Sequence, residues 1–254
     1  MRRSPKLNRL LAAMPAETYE RLLPHLELVA LPRGMVVYEP GGALDHAYFP
    51  TSSTVSLLNP LEEGTSPEVA IIGNDGVVGI ALLMGGAKST NTRAVVQSAG
   101  HGFRIRAATL LATVESDAPL RHLMMRYVLS LVTQMSQTAA CNRFHTIDQQ
   151  VCRLLLMCMD RWASNRLSLT HERIASLLGV RRGGVTEASL HLATAGLISY
   201  HRGCITVLDR PGMESRVCEC YAVVKTEADR LLPHPKVGAP LTWKAPAFAG
   251  APTH

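Results

Sequence analysis

The stretch LTHERIASLLGVRRGGVTEASLHLATAGLI, residues 169–198, decides how the C-terminal part of the chain is read. Ile174 and Leu178 stand one helical turn apart, and Ala175 is small where a second helix would cross. Gly179 follows at once and supplies the positive φ that a tight turn needs. Val185, Ala188 and Leu192 then form the buried stripe of a second helix. The remaining positions, Arg181, Arg182, Thr186, Glu187 and Ser189, are polar and read as its outward face. This is helix-turn-helix spacing, and such a polar face can enter the major groove of DNA. Residues 197–200 and 204–208 alternate as two strands around His201, Arg202 and Gly203, a hairpin of the kind called a wing.

Charge supports this reading. The chain has 254 residues and a net charge of +6, a mild excess. From 161 to 210, however, seven arginines face three acids, the distribution expected of a surface that meets phosphates.

Upstream, short β-type runs at 36–38, 47–49, 55–58, 69–72, 94–97 and 103–105 alternate with turn clusters such as Glu39-Pro40-Gly41-Gly42 and Gly73-Asn74-Asp75-Gly76. That pattern predicts a small sandwich or jelly-roll barrel, preceded by a short helix over 8–23 with Pro15 near a break. After Pro119 the period becomes helical. Leu120, Met124, Tyr127, Val128, Leu131, Met135 and Thr138 step by three and four, and Thr146 can start a further helix. The long helix either packs back on the barrel or pairs with a second copy. Its length favours pairing, with Met124, Tyr127, Val128, Leu131, Met135 and Thr138 as the expected dimer interface.

The order of barrel, long helix, helix-turn-helix, wing and final helix resembles the Crp/Fnr regulators. The segments GLISYHRGCITVLDRPGM (196–213) and CECYAVVKTEADRLL (218–232) carry the resemblance with the quoted stretch. It covers residues 8–232 and is strongest from 165 onward. It implies an α+β architecture: a cyclic-nucleotide-binding-like jelly-roll barrel over 1–117, a dimerisation helix over 118–145 and a winged helix-turn-helix over 146–232; the five prolines of 233–254 read as a flexible tail. It implies a homodimer on a palindromic duplex site, with RNA polymerase as a further candidate partner. It places Arg182 where the family reads guanine, and Thr170 and His171 where the first helix touches the DNA backbone. His201 and Arg202 at the wing tip are further phosphate contacts. Gly183 stands where relatives commonly have glutamate, and Glu187 where many have arginine, so Glu187 is a candidate reader of cytosine.

In relatives that bind cyclic nucleotides, a Gly-Glu pair holds the ribose and a later arginine the phosphate. The matching residues are Gly79, Ile80 and Ala81, then Thr92 and Arg93. Ile80 replaces the glutamate and cannot accept from a hydroxyl, so no cyclic nucleotide is expected. Haem sensing stays open, although His25, His46, His101 and His122 stand apart.

The six cysteines read as reduced, buried thiols. Cys218 and Cys220 are two apart, and Cys152 and Cys158 six apart; both pairs diverge on a helix, so no metal or iron–sulfur site is expected among them. No Gly-rich phosphate loop, nucleophile elbow or paired carboxylate argues for an enzyme. With no run of about 18 apolar residues and an apolar stretch at 10–14 too short for a secretory signal, a cytoplasmic protein is expected, with no membrane partner. The alternative is a cyclic-nucleotide or other small-ligand receptor module that acts through protein contacts. The basic stretch and the wing argue against it.

Overall fold

The computed structural model describes residues 4–85, 90–161 and 164–232. The tail expected over 233–254 lies outside the described residues.

The N-terminal helix is split in two. Asn8 caps α1 (Arg9–Ala12), accepting from the Leu10 and Leu11 N–H groups at 3.1 Å. Its amide donates to the Pro50 and Gly76 carbonyls at 2.8 Å, which locks the helix to the barrel. Pro15 ends that helical path, and α2 (Ala16–Leu22) starts directly after it.

The barrel strands are β1 (Glu27–Leu31), β2 (Val36–Tyr38), β3 (His46–Pro50), β4 (Thr54–Leu58), β5 (Glu68–Ile72), β6 (Arg93–Ser98) and β7 (Gly100–Arg106). They form two antiparallel sheets in the orders β1-β7-β3 and β2-β6-β4-β5. Phe49, Val55, Ile72 and Ile105 fill the space between them. All six runs expected from sequence are strands. Two elements were not expected: β1, whose side chains are mostly exposed, and α3 (Ala107–Ser116).

The long helix α4 (Ala118–Phe144) begins at Asp117, whose side chain accepts from the Leu120 N–H at 2.9 Å. Its large apolar stripe packs on its own barrel. Leu120, Leu123, Met124, Tyr127 and Leu131 are buried there, with Met135 against the same core. Two polar side chains fix the register. The Tyr127 hydroxyl donates to the Val77 carbonyl at 3.1 Å. Gly76 makes room for that ring, because a Cβ there would overlap the Tyr127 hydroxyl. The Gln134 amide accepts from the Ile71 N–H at 2.8 Å and donates to the Ile71 carbonyl at 3.3 Å. Since β5 is the edge of its sheet, Gln134 takes the place of a neighbouring strand.

This corrects the expected pairing stripe. Met124, Tyr127 and Leu131 lie inside one protomer and are not free to pair, Met135 packs on the barrel core, and Thr138 accepts from Arg153 at 2.8 Å. Val128 is half-buried. The face left open carries Met125, Leu129 and Val132, which are 43%, 49% and 47% exposed in the order Met125, Val132, Leu129. Ser136 and Ala139 continue it with alternating steps of three and four.

The chain turns at His145 into α5 (Ile147–Arg161) through a reciprocal cap. Thr146 Oγ1 accepts from the Gln149 N–H at 3.3 Å, and Gln149 Oε1 accepts from the Thr146 N–H at 3.1 Å. Around α5 stand β8 (Arg166–Leu167), α6 (His171–Leu178), α7 (Arg182–Thr194), β9 (Ile198–His201), β10 (Cys204–Val207) and α8 (Arg210–Arg216). The strands pair in the order β8-β10-β9. A second core of Val151, Leu155, Ile174, Val185, Leu192 and Ile205 holds them together. The last helix, α9 (Glu219–Leu231), returns along α4. Arg161 pairs with Asp75 at 2.8 Å and Arg173 donates to Gln97 at 2.9 Å, so the C-terminal unit is tied to the barrel.

Candidate nucleic-acid interface

Thr170 starts α6 as its N-cap, accepting from the Arg173 N–H at 3.1 Å. Gly179 ends it in the left-handed region at φ 68°, and the chain re-enters a helix at Arg182. Along α7, Val185, Ala188 and Leu192 face the core as expected. Arg181, Arg182, Thr186 and Glu187 face out. Ser189 does not: it is buried, which follows from its place one turn after Val185 on the inner face. It is removed from the candidate contact residues. Leu190, 64% exposed, takes the outward position instead. The signal was present in the sequence, since Leu190 falls off the 185–188–192 stripe.

The two glycines at the start of α7 differ. A Cβ on Gly184 would come within 2.6 Å of Ile147 Cδ1, the free end of a flexible side chain, where α7 crosses the start of α5. A Cβ on Gly183 would meet nothing within 4 Å. Gly183→Ala is therefore expected to stabilise the protein by up to about 1 kcal/mol, and Gly184→Ala to stabilise it less, because the Ile147 side chain must first shift its terminal methyl. Thermal unfolding should show the larger rise for Gly183→Ala.

His171 joins three elements. Its ring stacks on Tyr200 of β9 with centroids 4.1 Å apart, and its Nδ1 lies 3.1 Å from Thr186 Oγ1 on α7. Burial, and then the charge of Arg182, hold its imidazole below the ordinary histidine range. Arg182 itself is solvent-exposed. Its nearest acid, Glu172, is 3.9 Å away and equally exposed, a pair too weak to hold the guanidinium back from another partner. The wing turns through Arg202 at φ 46° and Gly203 at φ 76°, the two successive positive angles of a type I′ hairpin. His201 and Arg202 are exposed at its tip.

The arginine-rich stretch contributes less open charge than its count suggested. Arg161 and Arg173 are committed to the barrel, as above. Arg210 binds Asp160 at 2.5 Å, Tyr221 at 2.9 Å and Glu214 at 2.8 Å. Arg181, Arg182 and Arg202 lie open on the α7 and wing face, and Arg166 is exposed on β8 of the wing sheet, its Nε 3.1 Å from Cys204 Sγ.

In the barrel, Gly79 has φ 104° and leads into a 3-10 turn at Ile80–Met84. Ile80 and Ala81 pack against the barrel core. Arg93 pairs with Glu39 at 2.9 Å, and Thr92 lies 3.5 Å from the Tyr38 hydroxyl.

Sequence reasoning also missed a convergence of cysteines. Cys141, His145, Cys218 and Cys220 place their side-chain ligand atoms within 4.8 Å of one another. Spacing along one helix could not reveal it, because Cys218 lies before α9 as its N-cap, with extended backbone, and Cys220 lies inside it.

Together, the two crossed helices and the hairpin beside them define a winged helix-turn-helix. Residues 149–216 match the model of the Crp-like helix-turn-helix domain. Over 194 residues the chain is 25% identical to the global nitrogen regulator of Synechococcus elongatus, covering 72% of this chain and 86% of that protein. Its fold is similar to that of a Crp/Fnr-family regulator from Eubacterium rectale, with a TM-score of 0.65 and 16% identity over 83% of this chain and 98% of that one. FixK2 from Bradyrhizobium japonicum superimposes with a TM-score of 0.63 and 14% identity over 76% of this chain and 98% of that one. The chain is a DNA-binding transcription regulator with a Crp-like helix-turn-helix domain, and its fold is similar to that of Crp/Fnr regulators.

Proposed function

We propose that the protein acts as a homodimer on a palindromic duplex site, with α7 in the major groove and the β9–β10 hairpin on the flanking phosphates. The observation that carries this reading is the outward row of Arg182, Thr186, Glu187 and Leu190 on a helix whose other face is buried. In this reading Arg182 reads guanine, Glu187 accepts from a cytosine amino group, and Leu190 meets a thymine methyl. Arg181, Arg202, His201, Thr170 and His171 position the backbone. The open face of α4, Met125, Leu129, Val132, Ser136 and Ala139, forms the dimer seam. Its small residues let two helices approach closely near the DNA-binding end.

The barrel serves as a scaffold that takes no cyclic nucleotide, because Ile80 lacks an acceptor for the ribose hydroxyl. The protein is a regulator and not an enzyme, and it works in the cytoplasm beside DNA. No helix among the described residues is long and apolar enough to cross a membrane.

The test is binding to duplex DNA as a function of salt. Affinity should fall steeply and linearly on a double-logarithmic plot, because each phosphate contact releases counterions. Arg202→Ala should weaken binding to every sequence alike and reduce the slope by about 1. A salt-independent association would point instead to a receptor module acting through protein contacts.

A further inference from the structure

We propose that Cys141, His145, Cys218 and Cys220 form a tetrahedral site for a single thiophilic divalent cation, zinc, that fastens the end of α4 to the start of α9. The three cysteines are buried, and His145 is partly so. The Cys141 and Cys218 sulfurs are 3.6 Å apart, and Cys220 Sγ is 3.6 Å from His145 Nδ1. Tetrahedral zinc bonds of ordinary length put two thiolate sulfurs about 3.8 Å apart, and a sulfur and an imidazole nitrogen about 3.6 Å apart. Without an ion, four such groups have little reason to converge: thiols are weak hydrogen-bond partners, and a disulfide would use only two of them.

The surroundings fit the same ion. His145 Nε2 lies 3.3 Å from a Glu219 carboxylate oxygen. That arrangement fixes the tautomer with Nδ1 free to bind and makes it a better donor, as carboxylates do behind metal-bound histidines. Three thiolates on a divalent cation leave one negative charge, and the buried guanidinium of Arg153 acts on both Cys141 and Cys220. On binding, three thiol protons pass to solvent. The tight grouping suits one ion. An iron–sulfur cluster holds its thiolates around a core of several atoms.

The position gives the ion a structural task. His145 is the joint between α4 and α5, and α9 is the last element of the C-terminal unit. A metal here ties the barrel's long helix to the far end of the DNA-binding unit. The inference is independent of the DNA-binding reading, because metal content is measured without DNA.

The test uses the full chain, purified without chelator and without oxygen. Elemental analysis should find about one zinc per chain. Replacing zinc by cobalt should produce the intense visible absorption of tetrahedral cobalt and a thiolate charge-transfer band. Adding zinc to the stripped protein should raise its melting temperature, since the folded chain gathers all four ligands and binds the ion more tightly than the unfolded one. Cys218→Ser should lose the ion. Because a cysteine variant can also fold poorly, Glu219→Gln at the exposed position behind His145 is the second variant, expected to weaken zinc about 10–100-fold with the fold intact by circular dichroism. A folded chain that takes up no zinc or cobalt overturns the proposal. So does a Cys141–Cys218 disulfide in protein kept from oxygen, or unchanged zinc affinity in both His145→Ala and Glu219→Gln.

Discussion

Leu129→Asp is expected to give a folded monomer, whereas Leu131→Asp, two residues along the same helix, is expected to prevent folding. Leu131 is 5% exposed and sits between α4 and its own barrel. Removing a buried leucine costs about 2–5 kcal/mol, and the aspartate adds a carboxylate with no partner in an apolar site. A domain stabilised by about 5–15 kcal/mol does not survive that comfortably. Leu129 is 47% exposed in the protomer, so its replacement should change protomer stability by no more than about 0.5 kcal/mol. In the dimer it would lose two buried leucines and set like charges against each other, weakening association at least about 100-fold. Sedimentation separates the outcomes. A Leu129→Asp protein that stays dimeric would move the interface off this face of α4.

Arg182→Ala is the second large effect. A bidentate contact to guanine contributes about 1–3 kcal/mol of discrimination. The variant should therefore lose about 5–150-fold in affinity for its own site and accept other bases at one position of each half-site. Its fold should be untouched, because the Arg182 side chain is 71% exposed and its one acidic neighbour, Glu172, is 3.9 Å away and equally open. An equal loss on all sequences would reduce Arg182 to a phosphate contact.

The helix-turn-helix was legible because each of its parts has a local cause. Thr170 caps, Gly179 turns, and Val185, Ala188 and Leu192 make a stripe. The barrel strands were legible from short apolar runs between turn residues. The face of α4 was not. The helix carries one apolar stripe through 124, 127 and 131 and another through 125, 129 and 132, and periodicity alone does not say which meets the barrel. The larger stripe goes to the barrel, whose edge strand needs Gln134 beside it. The inward turn of Ser189 could have been read from its distance to Val185. The cysteine cluster could not, since Cys141 and Cys218 are 77 positions apart and meet only once α9 folds back on α4.

Selection of binding sites from a random duplex pool by the purified protein is the deciding measurement. A palindrome is expected, with half-sites about one helical turn apart, each holding a guanine that Arg182→Ala no longer selects. Recovery of no common sequence, with cell extract added as well as without it, would contradict the assignment of α7 as the element that reads DNA.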